Sequence, residues 1–339
     1  MIIVSVICPC YNEESSIVAC VESMLQQDFA LDSMELLFVD GNSTDNTRNL
    51  LDSFAAQYPQ IRILNNPHRT APFAMNIGIR EAKGEFIVRI DAHAYFPVNY
   101  ISSLIQAMRT LPNAANVGGV CRTIPAGPTA RCIAISEAMS HPFGVGNSMF
   151  RIGVKKVKKV DTVPFGCFYK SQLEQIGMYD EELTRNQDDE LNARIIQQGG
   201  YIYLIPTIQI DYIARNSLRK MASMFYQYGM FKPLVNKKLS YPATLRQFMP
   251  PLLIAGTIIG IILSIAFPIL WIAFFTIYGL YAAIGVIIGI KLAIKHKILS
   301  LILLMPFCFL LIHWSYGLGY WNGLFRIAAH KSFNVRINR

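Results

Sequence analysis

Four short apolar runs, each closed by a polar turn, occupy the front of the chain: 2–8 (IIVSVIC), 35–39 (ELLFV), 61–64 (IRIL) and 85–90 (EFIVRI). Each predicts a β-strand. Between them apolar residues recur at helical spacing over 13–27, 44–57 and 71–82. Strand and helix in alternation predict an α/β domain with a mostly parallel sheet and helices on both faces. Ligands of such sheets sit beyond the carboxyl ends of the strands.

The back of the chain follows a different rule. Between Arg246 and Lys291 run 44 residues without Asp, Glu, Lys or Arg, and between Lys297 and Arg326 another 28. A membrane-spanning helix takes about 20 apolar residues, so the first run holds two spans with a reversal near Pro268. The second run is either a third full span or, over 299–325 with Pro306 and three glycines, a re-entrant segment. Two spans place Lys291, Lys295 and Lys297 on the inside. A third would carry Arg326, Lys331, Arg336 and Arg339 across. No basic segment leads into the first apolar run, which predicts a cytoplasmic front domain and a multi-pass protein of the cell's inner (cytoplasmic) membrane. Ahead of the first span, 216–232 places Leu218, Met221, Phe225 and Tyr228 on one helical face, with Arg219 and Lys220 off it. That is the signature of a basic amphipathic helix in the lipid interface. The expected division is therefore 1–212 a cytosolic α/β domain, 213–246 interfacial helix and linker, 247–326 two or three spans, and 327–339 a basic tail.

Composition agrees. At 53% hydrophobic and 16% charged, the chain is too apolar for a disordered or ordinary soluble protein. Its seven cysteines are too dilute for a disulfide scaffold. The net charge of +9 is unevenly spread. All 22 acids lie at or before Asp211, against 17 bases there, and the 14 remaining bases stand alone behind it. A mildly acidic front joined to a basic, apolar back is not a nucleic-acid-binding pattern.

The strand ends carry the chemistry. Cys8-Pro9-Cys10-Tyr11-Asn12-Glu13-Glu14 follows the first strand, Asp40-Gly41-Asn42-Ser43 the second and Asp91-Ala92-His93 the fourth. These suit a nucleotide-sugar. A fixed carboxylate such as Asp40 can accept the uracil ring N–H. A diphosphate needs a cation, which Asp91 and His93 can hold together. Oxygen ligands alone suit Mg2+, and an added imidazole favours Mn2+. Neither a dinucleotide fingerprint nor a phosphate-binding P-loop follows the early strands. A second polar cluster, Asn186-Gln187-Asp188-Asp189-Glu190, opens a helix, where Asp188 is placed to act as a general base.

These stretches resemble glycosyltransferase family 2, of GT-A fold: ICPCYNEE, FVDGNSTDNT, NIGIREAKGEFIVRIDAH, VPFGCFYKSQLEQIGMYDEEL and QDDELNARI, together spanning residue 4 to about 211. The DAH variant, with VDTVPFG and YQYG, is similar to membrane-bound glucosyltransferases of the succinoglycan exopolysaccharide type. The resemblance implies that Pro9, Tyr11, Glu13, Asp40 and Asp91 bind the nucleotide and that Asp91 and His93 bind a divalent metal. His93 stands where the family has a second Asp. It implies further that Asp188, six residues before Arg194, is the base of an inverting transfer, with Gln187 replacing the family's Glu. The donor it implies is a UDP-hexose, and the membrane segments point to a polyprenyl-linked acceptor. Alternatives are a polyprenyl-phosphate glycosyl synthase and a non-catalytic subunit that only binds nucleotide-sugars.

Overall fold

A computed structural model describes residues 1–333. The chain divides into two compact units, one of Met1–Arg122 with Met149–Tyr212 and one of Thr123–Ser148 with the chain from Ile213 onward.

The first unit is built on the expected alternation. In order come β1 (Val4–Cys10), α1 (Ile17–Leu25), β2 (Met34–Asp40), α2 (Thr47–Gln57), β3 (Ile61–Asn65), α3 (Ala71–Glu81), β4 (Phe86–Arg89), β5 (Ala94–Tyr95), α4 (Tyr100–Thr110) and β6 (Ala114–Ile124). The short helices α5 (Ala130–Ser140) and α6 (Pro142–Val145) belong to the second unit. Then follow α7 (Met149–Ile152), β7 (Lys158–Lys159), β8 (Cys167–Tyr169), α8 (Lys170–Gln175), α9 (Gln187–Gln197) and β9 (Tyr201–Ile213). One sheet runs β3-β2-β1-β4-β8-β6-β9-β5, with β7 added beside β9.

Strand β1 pairs parallel with β2 and β4, and β2 parallel with β3; the connections among these strands contain crossover helices. β8 runs antiparallel to both β4 and β6, so the sheet is mixed. All seven residues of β1 and of β2 are buried, as strands covered on both faces require. The strand β1 continues through Pro9 to Cys10, where a polar turn was expected. Register sets Cys10 beside Asp40 and Ile7 beside Arg89, so the carboxyl ends of β2, β1 and β4 lie side by side.

The second unit contains α10 (Leu218–Leu239), α11 (Met249–Ala266), α12 (Leu270–His296) and α13 (Leu301–Ala328). Among the described residues, three helices are long and apolar enough to cross a membrane: Leu245–Ala266, Leu270–His296 and Leu301–Ala328. The third apolar run is thus one continuous helix of 28 residues. Helix α10 packs along α13 so closely that backbones touch: a Cβ added at Gly229 would lie 2.0 Å from the Tyr316 carbonyl oxygen, and one at Gly319 2.1 Å from that of Tyr226. Met221, Met224, Phe225, Met230, Phe231 and Val235 of α10 are buried as a result.

Helices α5 and α6 pack against α13. On α5, Glu137 accepts from Lys295 Nζ at 2.8 Å and pairs with His296 Nε2 at 2.6 Å, both at the end of α12. On α6, the Phe143 ring meets Tyr281, Phe309 and His313. The expected basic tail begins on described residues, but from 334 on, including Arg336 and Arg339, it lies outside them.

Candidate active site

Two loops at the ends of β1 and β2 are laced into one platform. Asn12 adopts φ 54°, turning the chain out of β1. Its amide donates to Ser43 Oγ at 2.9 Å, and its Oδ1 accepts from the Thr44 amide at 2.8 Å. The amides of Glu13 and Glu14 donate to Thr47 Oγ1 and Asp45 Oδ2. Asp40, the last residue of β2, is buried, and its Oδ1 accepts from the Ser43 amide (3.1 Å) and hydroxyl (2.6 Å). The Gly41 amide donates to the Cys10 carbonyl at 2.8 Å. A Cβ at Gly41 would stand 3.2 Å from Tyr11 Cβ, a tight contact that glycine avoids where Tyr11 approaches this turn. The Arg69 guanidinium stands over the Tyr11 ring, 5.7 Å from its centroid. Tyr11 and Asp40 therefore share one corner of the sheet's carboxyl edge.

The centre of the site is a cation that sequence reasoning passed over. Arg89 ends β4 and is only 5% exposed. Its Nε and Nη2 reach Asp91 Oδ1 at 3.4 and 3.3 Å, and its Nη1 reaches Asp188 Oδ1 at 2.5 Å. Asp91 and Asp188, 97 positions apart in the sequence, thus meet on one guanidinium. The available signal was period two: residues 89 and 91 fall on the same side of an extended chain. Burial alone would lower the Arg89 pKa, but Asp188 and Asp91 outweigh it and hold the group charged.

Asp188 lies in the first turn of α9, which starts after Asn186 in the left-handed region at φ 59°. Burial pushes its pKa up from 3.8 to about 6; the neighbouring Asp91 and Asp189 add to the rise, and Arg89 opposes it. A carboxylate in that range can exchange a proton near neutral pH. Arg194, whose spacing singled out Asp188, serves as a brace. It pairs with Glu190 and donates to the Ile176 and Met178 carbonyls, all by charge-assisted bonds of 2.5–2.8 Å. Asn76 of α3 ties the same loop down through the Tyr179 amide and carbonyl at 3.0 and 2.9 Å. Buried Tyr179 lies against Arg89. Neither Asn76 nor Tyr179 was singled out from the sequence.

His93 follows on the turn after β4. Its Nδ1 is 3.6 Å from Glu13 Oε1, and its ring lies 6.2 Å from that of Tyr212. Pro9 is inside β1, paired opposite Val39. Among the described residues no group of three or more His, Cys, Asp or Glu side chains could hold a metal by itself. Asp91 and His93 together offer one carboxylate and one imidazole, a donor pair that suits a borderline divalent cation.

Residues 5–131 match the family model described as Glycosyl transferase family 2. The chain is 28% identical over 242 residues to the dolichyl N-acetyl-alpha-D-glucosaminyl phosphate 3-beta-D-2,3-diacetamido-2,3-dideoxy-beta-D-glucuronosyltransferase of Methanococcus voltae, covering 69% of this chain and 74% of that one. It is 27% identical over 289 residues to the succinoglycan biosynthesis protein ExoA of Rhizobium meliloti, covering 83% and 86%. Among solved structures it is similar to a mannosyltransferase of Pyrobaculum calidifontis in complex with GDP-Man and Mn2+, with TM-score 0.55, 18% identity and coverage of 91% and 86%. That likeness concerns the fold.

Proposed function

We propose that the front of this chain is a family 2 glycosyltransferase domain of GT-A-like fold and that the protein moves a hexose from a UDP-sugar to a polyprenyl-linked saccharide, with inversion, at the cytoplasmic face of the cell's inner membrane. The observation that supports this reading is the meeting of Asp91 and Asp188 on Arg89.

Tyr11, with Arg69 behind it, offers a ring face for the uracil base. Asp40 offers an acceptor for the ring N–H, and Pro9 and Glu13 complete the nucleotide side. When bound, a divalent cation, Mn2+ or Mg2+, held by Asp91 and His93, neutralises charge on the departing diphosphate. Asp188 takes the proton from an acceptor hydroxyl. The hydroxyl oxygen bonds to the anomeric carbon from the face opposite the nucleotide. The bond from that carbon to the diphosphate oxygen breaks, and its electron pair leaves with the nucleoside diphosphate.

The acceptor assignment draws on the three membrane-capable helices and on two relatives, one named for a dolichyl N-acetylglucosaminyl phosphate and one for succinoglycan biosynthesis. A head group presented at the bilayer surface needs a catalytic part tethered there, which residues 213–326 supply.

The test is Asp188→Asn, which keeps shape and removes the base. Transfer from UDP-sugar to native lipid-linked acceptor is expected to fall about 100-fold or more, while UDP affinity by calorimetry stays near that of the parent. Near-parental turnover removes Asp188 from this role.

A further inference from the structure

Fold stability alone does not call for a guanidinium at the end of β4. The three residues before it, Phe86, Ile87 and Val88, are buried and apolar. Burying a charge costs several kcal/mol before any partner repays it, and an apolar residue of similar volume is often as stable in such a place. At position 89 the partners are the two acids on which the proposed reaction turns.

The way they are held is specific. Arginine presents donors in a rigid plane, and here opposite parts of that plane are used. Nε and Nη2 face Asp91, and Nη1 faces Asp188. The guanidinium therefore fixes how far apart the two carboxylates stand and how they are turned. We propose that Arg89 is a positioning residue for transfer: it acts as a spacer that holds the base at a set distance and angle from the donor-side acid. Its charge also offsets the repulsion between Asp188 and Asp91. Buried Tyr179 also lies against the guanidinium.

This inference rests on the reading of Asp188 as base and adds what sets that base in place. Lysine at 89 keeps one charge but cannot bridge two acids with a planar fork, and glutamine keeps neither property. Misplacing a reacting group by about 1 Å costs on the order of 100-fold in rate. Arg89→Gln in the full-length, membrane-reconstituted protein is therefore expected to lower kcat about 100-fold while donor KM and UDP affinity change less than about threefold. Arg89→Lys is expected to fall between Gln and the parent, about tenfold down in kcat, with donor KM again unchanged.

A Gln variant that turns over within about threefold of the parent overturns the proposal, as does a parallel fall of kcat and UDP affinity, which would assign Arg89 to the donor site. Should the Gln variant not fold, the Lys variant decides. Reduced kcat at parental UDP affinity supports the spacer role, and parental kcat overturns it. Asp188→Asn measured alongside separates the two readings. Parental turnover in that variant sinks the base. An inactive Asp188→Asn beside a fully active Arg89→Gln sinks only the spacer.

Discussion

The contact between α10 and α13 leaves no room for a methyl group. Real Cβ atoms essentially never approach another heavy atom within 3.0 Å, whereas a Cβ at Gly319 would stand 2.1 Å from the Tyr226 carbonyl oxygen. Gly319→Ala therefore has to drive the two helix backbones apart by about 0.9 Å at that point. Overpacking of this kind costs about 1–3 kcal/mol. Gly229 faces the Tyr316 carbonyl one layer away in the same crossing, so one displacement relieves both sites. The double variant should then cost less than the sum of the two singles, as coupled neighbours do. Gly279 of α12 is the control, because nothing lies within 4 Å of its added Cβ. There alanine removes backbone freedom from the unfolded chain and is expected to stabilise by about 0.4–1 kcal/mol. Thermal unfolding of the full-length protein in one fixed detergent reads all four variants, at about 2–4 °C per kcal/mol for a chain of this class. A Gly319→Ala midpoint equal to or above that of Gly279→Ala would show that the two backbones are not in contact.

Further outcomes follow from two titrating groups. With its pKa near 6 and a base that must be unprotonated, kcat/KM is expected to fall as pH drops through about 6, a limb governed by Asp188; a flat profile from pH 7 to 5 contradicts this. The same shift acts on stability with opposite sign. A carboxyl raised from 3.8 binds its proton more tightly when folded, so its stabilising share is complete below about 4 and is lost as pH rises through about 6. Glu137 behaves the other way. Burial would raise its pKa, but Lys295 and His296 prevail and hold it below the usual carboxylate range. Glu137→Gln is expected to cost about 1–3 kcal/mol at neutral pH. The gap to the parent, followed by unfolding midpoints, should close as pH falls below the ordinary carboxylate range, where the parent loses the same charge.

Much of the catalytic fold was legible from residue order alone. Strands β1 to β4 announce themselves as apolar runs ended by polar turns, and adjacent parallel strands bring those turns to one edge. Asp40, Asp91 and His93 could be placed at strand ends for that reason. The later strands were not legible. β6 contains Gly118 and Gly119, poor strand formers by composition, which are there because Val163 and Ile208 come within 3 Å of where their Cβ atoms would be. Arg89 was missed because a charge closing an apolar strand reads as a solvent-facing end. Its burial depends on Asp188, 99 residues further along. In α10 the sequence shows one apolar face, yet residues beyond it are buried too, because α13 covers the helix and period alone does not name a partner. The same holds for α5, whose buried Ile135, Ala138 and Met139 give no hint that their cover comes from the far end of the chain.

The sorting of Thr123–Ser148 with the C-terminal helices has a practical side. The polypeptide leaves one unit for the other after Arg122, returns at Met149 and leaves again after Tyr212. No single cut separates the halves. A truncation at residue 212, the obvious choice for a water-soluble fragment, would retain α5 and α6 stripped of α13 and of the Lys295–His296 clasp on Glu137. What remained would carry a bare apolar ridge and an unmatched carboxylate, and would stick to itself or to detergent for reasons unrelated to whether its nucleotide-binding edge had formed.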